Sequence, residues 1–263
     1  MCLPCAKLDN PPPSAPVFVI NLDRDSARLE SVRRELDGAG IPFTRIPAVL
    51  GAERLGEAGL VDLASYRTRN RADSPRGGEL GCYLSHLRAM EAFLATGAPM
   101  GVILEDDVRL LPGFDEVVRA LGERDDWDLA KLFCYHRGMP VRGRALAEGR
   151  RLCTHLAVTT STAAYAIRRQ AAATLVATLL PMREPIDHAM DRPWESGLRI
   201  VGVRPHAAAL AGVARQTTLG YEDRSRENRT VAKNLRLLAY RAGRETRRFL
   251  HGLAEVARRR GGG

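Results

Sequence analysis

The sequence predicts an α/β fold with a mostly parallel central sheet, followed by a basic amphipathic helical tail. Three observations predict it. Short apolar runs alternate with stretches of helical periodicity, an order that in single domains gives a parallel sheet covered by helices. One such run, Gly101-Val102-Ile103-Leu104, leads straight into three carboxylates, Glu105-Asp106-Asp107. After about Gln216 the chain turns arginine-rich, with apolar residues at three-, four- and seven-residue steps.

The elements follow in order. Val17-Phe18-Val19-Ile20-Asn21-Leu22 reads as a strand, and Asp25 or Ser26 can cap a helix to about Asp37 that carries Leu29, Val32 and Leu36 at helical spacing. Gly38 and Gly40 close it, and residues 42–49 read as a second strand. Residues 51–78, rich in Gly, Arg, Asp and Ser, predict a long loop with at most one short helix; long loops in compact domains are often binding elements. Residues 79–95 predict a helix, 101–105 the acid-tipped strand and 112–121 another helix. Strands are expected at 128–135, 151–158, 163–167 and 199–203, with a strong Ala/Leu helix over 168–180 ended by Pro181. The division is a flexible, Pro-rich leader (1–15), a main domain (16–216) and a helical tail (217–263).

Composition narrows the function classes. The 263 residues are 45% apolar and 27% charged, as in a soluble globular protein long enough to bury a sizeable core. No apolar run reaches the roughly 18 residues that a membrane span needs, and the N-terminus lacks a secretion-signal pattern, which predicts a cytoplasmic protein. Five cysteines, at 2, 5, 82, 134 and 153, argue against a disulfide framework. The pairs Cys134/His136 and Cys153/His155 have strand spacing that could serve zinc, but core cysteines beside ordinary histidines are the commoner case. Of the net charge of +9, the last 39 residues carry +8, so the basicity belongs to the tail. The tail fits either an anionic membrane surface or a helical hairpin packed on the domain with a solvated charged face. Nucleic acid is not expected as a partner, because the tail lacks interleaved aromatics and the rest of the chain is near neutral.

Three adjacent acids at a strand end repel one another. Either they form a solvated turn, or something positive sits among them. A divalent cation carrying a phosphorylated substrate suits the second case, since hard cations take carboxylate oxygens and leave positions open for phosphate. Open α/β sheets place ligands at such strand ends. A dinucleotide-binding turn is not supported: Asn21-Leu22-Asp23-Arg24 follows the first strand, where a Gly-rich turn would be needed.

Five motifs stand in sequence: Val19-Ile20-Asn21-Leu22-Asp23-Arg24 with Arg28; Gly78-Glu79-Leu80-Gly81-Cys82-Tyr83-Leu84-Ser85-His86; Leu104-Glu105-Asp106-Asp107; Ser161-Thr162-Ala163-Ala164-Tyr165-Ala166-Ile167; and Glu184-Pro185-Ile186-Asp187-His188-Ala189-Met190-Asp191. In this order and at these separations they resemble glycosyltransferase family 25, the bacterial lipooligosaccharide galactosyltransferases and their collagen-galactosyltransferase relatives, over residues 16–205. The resemblance implies a GT-A-like nucleotide-sugar fold, a UDP-sugar donor (most often UDP-galactose), a divalent metal, expected to be Mn2+, and inversion at the anomeric carbon. It implies Asp107 as principal metal ligand with Glu105 beside it, and Glu105 and Asp106 assisting at ribose, water or metal. Asn21 would meet uracil or ribose, and Arg24 and Arg28 the diphosphate. Ser85 and His86 match the family's Ser-His pair at the site.

Asp187 matches the position of a general base that deprotonates the acceptor hydroxyl, although a helix cap is the alternative role for an Asp there. Asp191, one turn on, is the reserve catalytic candidate and His188 a weaker one. The acceptor implied is an oligosaccharide or lipid-linked saccharide of lipooligosaccharide, lipopolysaccharide or a related surface glycan. It would be met at the inner face of the membrane, with 225–263 on the anionic surface. Two departures stand out. The fourth motif opens on Ser161 where the family has Gly, and residues 54–77 match no family pattern. A metal-dependent phosphohydrolase, or a non-catalytic glycan-binding relative of the same fold, are the competing readings.

Overall fold

The computed structural model describes residues 15–141, 143–211 and 230–261. Residues 1–14, with the leader and Cys2 and Cys5, lie outside them, as does the expected boundary at 216/217. The chain runs β1 (Val17–Asn21), α1 (Ser26–Gly38), β2 (Phe43–Pro47), a 3-10 turn (Gly51–Arg54), α2 (Leu63–Arg69), α3 (Gly77–Ala95), β3 (Met100–Glu105), β4 (Val108–Leu110), α4 (Phe114–Gly122), β5 (Leu129–Lys131) and β6 (Pro140–Val141). It continues through β7 (Arg151–His155), β8 (Ala164–Arg168), α5 (Arg169–Thr178), α6 (Ile186–Ala189), α7 (Pro193–Ser196), β9 (Ile200–Arg204), β10 (Ala208–Leu210) and α8 (Val231–Gly261).

Eight strands form the main sheet in the order β2-β1-β3-β8-β5-β9-β7-β6. Strands β2, β3, β5, β9 and β6 run with β1, while β8 and β7 run against it, so the sheet is mostly parallel with two reversed strands. Alternation along each strand splits the core into two layers. Phe18, Ile20, Ile103, Tyr165 and Ile167 face α3 and α5, packing on Leu80, Leu84, Met90, Phe93 and Leu175. Val17, Val19, Val102, Leu104, Ala164 and Ala166 face α1 and α4, packing on Val32, Leu36, Val117 and Leu121.

Several expectations shift. The strand expected over 128–135 narrows to Leu129–Lys131, because the chain leaves the sheet there and the Leu132 carbonyl accepts from Ala207 N–H instead. The two-stranded β4/β10 ribbon, three residues on each side, is too short to show a period. Residues 51–78 hold both a 3-10 turn and α2, which Asp62 caps by accepting from Ser65 N–H at 2.9 Å. α3 begins two residues early because Glu79 accepts the Arg76 N–H at 3.0 Å, satisfying an open helix-end donor. Asp25 precedes α1 but makes no side-chain cap.

Among the described residues the tail forms one helix, α8, and one of its faces packs on the domain. Leu237 and Arg248 are buried, and Gly252 lies against Leu156, where an added Cβ would come within 2.7 Å of its side chain. No helix among the described residues is long and apolar enough to cross a membrane.

Candidate active site

Three parallel strands end together. Ile20 pairs with Glu105 and Asn21 with Pro47, so the carboxyl ends of β2, β1 and β3 define one edge of the sheet. A cleft of about 250 Å³ opens there, and Asn21, Arg24, Arg28, Ser85, His86, Glu105, Asp106 and Asp107 all line it. Every residue expected at the donor side therefore meets in one place. Its opposite wall is backbone from residues 48–52 laid on the first turns of α3. Glycines permit that approach: a Cβ on Gly81 would sit 2.5 Å from the Val49 carbonyl, and one on Gly51 would sit 2.2 Å from the Gly81 nitrogen. Ser85 holds the same wall, accepting the Val49 N–H at 2.8 Å and donating to the Gly81 carbonyl at 2.6 Å.

The three acids have different surroundings. Asp106 is held by Asn21 Nδ2 at 2.7 Å and Arg28 at 2.8 Å; burial still raises its carboxyl above the ordinary range. Glu105 accepts from Thr162 at 2.8 Å and lies 3.3 Å from His86 Nε2. Burial pushes its carboxyl up, but these partners outweigh that and hold it below the ordinary range. On the far side of His86, Nδ1 lies 3.1 Å from the Tyr165 hydroxyl, whose buried phenol is kept protonated. A consistent chain is Tyr165 O–H donating to Nδ1 and Nε2–H donating to Glu105.

Asp107 differs. One oxygen meets Arg28 at 2.9 Å, while Oδ1 is buried with no hydrogen-bond partner. Burial first, then the charges of Glu105 and Asp106, push this carboxyl up to about 7 against the opposing pull of Arg28. A buried carboxylate oxygen without a donor, beside two more acids, is the surrounding that a hard cation completes. A second group of possible ligands is Cys82, His86 and Glu105, whose donor atoms lie within 4.8 Å of one another. The Cys82 thiol is pushed well up by burial and then by Glu105, Asp187 and Asp107, so it stays protonated and is the poorer ligand. Cys134, His136, Cys153 and His155 do not gather into such a group among the described residues.

Ser161 has φ 112°, backbone that favours glycine, and its hydroxyl accepts the Ala163 N–H at 3.1 Å. The departure read in the sequence is thus a strained turn that delivers Thr162 to Glu105. Thr162, Tyr165 and Cys82 lie within quoted motifs but carry no sequence signal for the contacts they make.

On the acceptor side the expectations divide. Asp187, the second residue of α6, is half-buried, with Oδ1 accepting the His188 N–H at 2.9 Å; it does not line the cleft, yet its charge is felt at Cys82 on the cleft wall. Asp191 must be corrected. It lies in a separate, closed cluster, paired with Lys131 at 3.2 Å and Arg248 of α8 at 3.0 Å. Burial alone would raise its carboxyl, but these two cations hold it far below the ordinary range. It neither reaches the cleft nor exchanges protons near neutrality, so its role is to fasten α8. His188 faces α8 too, 3.3 Å from Arg244.

Asp191→Asn leaves two buried cations facing a neutral group, an expected loss of about 3–5 kcal/mol in an unfolding titration. The same cluster sets an acid dependence. Burial lowers His155 from 6.5 to about 3, so the unfolded chain takes a proton there that the native chain refuses. Stability present above pH 6.5 should therefore be lost progressively as the pH falls toward 3. Asp191, also depressed, adds its own loss below the ordinary carboxylate range. Melting temperatures that stay flat between those limits would contradict this assignment.

The strand ends thus bring three acids, Arg24 and Arg28 and a glycine-lined wall around one cleft. The family described as "Glycosyltransferase family 25 (LPS biosynthesis protein)" matches residues 14–190, and the chain belongs to that family. A Drosophila melanogaster protein named "Glycosyltransferase 25 family member" is 29% identical over 187 residues, 67% of this chain and 31% of that protein. "Procollagen galactosyltransferase 1" of Danio rerio is 32% identical over 122 residues, 43% of this chain and 20% of its own length. "Inactive glycosyltransferase 25 family member 3" of Homo sapiens is 28% identical over 182 residues, 65% and 30% respectively. The chain thus spans between about a fifth and a third of these relatives.

Proposed function

We propose that the protein transfers a hexose, galactose first, from a UDP-sugar to a saccharide hydroxyl, with inversion. The acceptor is an oligosaccharide or a lipid-linked saccharide of lipooligosaccharide, lipopolysaccharide or a related surface glycan, met from the cytoplasm at the inner membrane face. The observation that carries this reading is the meeting of eight donor-side residues in one cleft, with a buried, unpartnered oxygen on Asp107. Family membership and the galactosyltransferase relatives support it.

Arg24 and Arg28 line the cleft where a diphosphate would lie, and guanidinium forks suit phosphate oxygens. Asn21 fixes Asp106 and presents the strand end to ribose or base. Asp107, with Glu105, would hold a divalent cation such as Mn2+, which neutralises the charge that develops on the leaving diphosphate. His86 and Thr162 keep Glu105 ionised and oriented. Asp187 takes the proton of the attacking hydroxyl.

The test is a thermal-shift panel of UDP-sugars with and without Mn2+, followed by turnover with the best donor. UDP-galactose with Mn2+ is expected to raise the melting point most, and each alone to do less. No shift with any UDP-sugar would remove the reading. The human relative named as inactive gives weight to a second one: a shift without turnover on any saccharide tested would make the chain a glycan- or nucleotide-binding relative. Release of phosphate from simple phosphoesters would favour a phosphohydrolase.

A further inference from the structure

Cys82 and His86 stand four residues apart on α3, the spacing that puts two ligands on one face of a helix. Glu105, the last residue of β3, comes to the same place. The three ligand atoms lie within 4.8 Å of one another, and all three residues line the cleft, so an ion can reach them from solvent. His86 Nε2 and Glu105 Oε1 are 3.3 Å apart. Two ligands each about 2.0–2.1 Å from a tetrahedral zinc stand about 3.3–3.4 Å apart, so this pair already has the separation needed. A zinc-bound sulfur would stand about 3.5 Å from each of them. The Cys82 thiol therefore has at most about 1.3 Å to close, a distance that rotation about its own Cα–Cβ bond can cover.

We propose that Cys82, His86 and Glu105 form a zinc site, which overlaps the hard-cation seat at Asp107 through the shared Glu105. The donor set selects the ion. One sulfur, one imidazole nitrogen and one carboxylate oxygen suit zinc, whereas Mg2+ and Mn2+ prefer oxygen ligands. Zinc takes cysteine as the thiolate, and the displaced proton passes to solvent. The negative charges of Glu105, Asp187 and Asp107 are all felt at Cys82, so the local potential favours a cation. The surroundings also hold the ligands in place. Thr162 donates to Glu105 Oε1 at 2.8 Å, and His86 Nδ1 lies 3.1 Å from the Tyr165 hydroxyl. With Nε2 on the metal, Nδ1 carries the ring proton and donates it to that oxygen, the outer contact that orients a ligating histidine. Because both seats draw on Glu105, zinc bound here weakens the cation at Asp107.

Zinc binding does not rest on sugar transfer; only its effect on the Asp107 cation rests on the proposed function. Zinc affinity is measured on the full chain, without donor or acceptor, by competition with a chromophoric zinc chelator. The ligands are read from the Co2+-substituted protein, in which a bound thiolate gives a charge-transfer band in the near ultraviolet. The parent is expected to bind one zinc and to show the band. Cys82→Ala should bind zinc about a hundredfold more weakly and lose the band. Cys82→Ser, closer in size and polarity, should lose it too, which separates ligand loss from a folding defect. Asp107→Asn should keep zinc and band, as should Cys2→Ser with Cys5→Ser. No zinc on the parent, equal binding in parent and Cys82→Ala, or a loss confined to Asp107→Asn or to the Cys2/Cys5 variant would each overturn the proposal. Bound zinc is also expected to weaken Mn2+ binding about tenfold, and unchanged Mn2+ affinity would overturn the sharing of Glu105. Zinc held through Cys82 in a chain that transfers no sugar would uphold the site and remove only the proposed function.

Discussion

Asp107→Asn is expected to lower metal-dependent turnover of a UDP-sugar by about a thousandfold. Charge neutralisation by a bound cation is worth several kcal/mol in such steps, and about 1.4 kcal/mol is a factor of ten. Asparagine keeps the shape and an oxygen for Arg28 but removes the charge that binds the cation. The same variant should not be destabilised. In the parent, burial and then Glu105 hold this carboxyl at about 7 instead of the ordinary 3.8, so the native chain binds a proton that the unfolded chain has released. A raised acid contributes its stability at low pH and loses it as the pH rises through about 7. In chelator at pH 8 the variant should melt at or above the parent, and at pH 4 the difference should vanish. A variant that is active, or that melts far below the parent at pH 8, would return Asp107 to an ordinary structural carboxylate.

This pairing of lost activity with kept stability is what separates the cleft from the Lys131–Asp191–Arg248 cluster. Both are buried groups of charges. In the cluster the Asp191 carboxylate is paired with both Lys131 and Arg248, so its disruption is expected to cost stability. In the cleft Asp106 and Asp107 share Arg28, Glu105 is held by His86 and Thr162, and Asp107 Oδ1 is left without a partner, room that a bound cation would fill in the proposed function.

The difference also explains what could be read from the sequence. Asn21 after Val17–Ile20 and the acids after Gly101–Leu104 stand in short local patterns at the ends of parallel strands, whereas Arg24, Arg28, Ser85 and His86 are implied by the family resemblance alone. The glycine-like turn at Ser161 is likewise implied by the resemblance, whose pattern has Gly there. The place of Asp191 was not legible. Its partners lie in β5 and α8, and helical spacing from Asp187 says nothing of which face a four-residue helix turns to its neighbours. The reversal of β8 and the β4/β10 ribbon likewise depend on pairings that no local period records. The tail's amphipathic pattern was read correctly as helix, but it mixes two faces: a charged one that packs and an apolar one that does not, the opposite of the usual arrangement.

Asp187→Asn is expected to lower transfer to an acceptor by about 10²–10⁴, while donor-induced stabilisation and slow donor hydrolysis persist. The Asp is well placed to be separated from a cap. Its Oδ1 already accepts from the adjacent His188 N–H, a bond that asparagine can keep, so a purely structural role predicts little change. A base predicts more: a loss of transfer that donor binding does not share. The segment around it is held from both sides. Arg192 joins Glu184 at 2.7 Å, and α8 holds Glu184, His188 and Asp191. Such bracing keeps a carboxylate within the narrow range of positions that proton transfer needs. An unchanged rate in Asp187→Asn would leave the acceptor hydroxyl without a base among the residues named here. A rate loss accompanied by a lower melting temperature would point to the brace instead of the base.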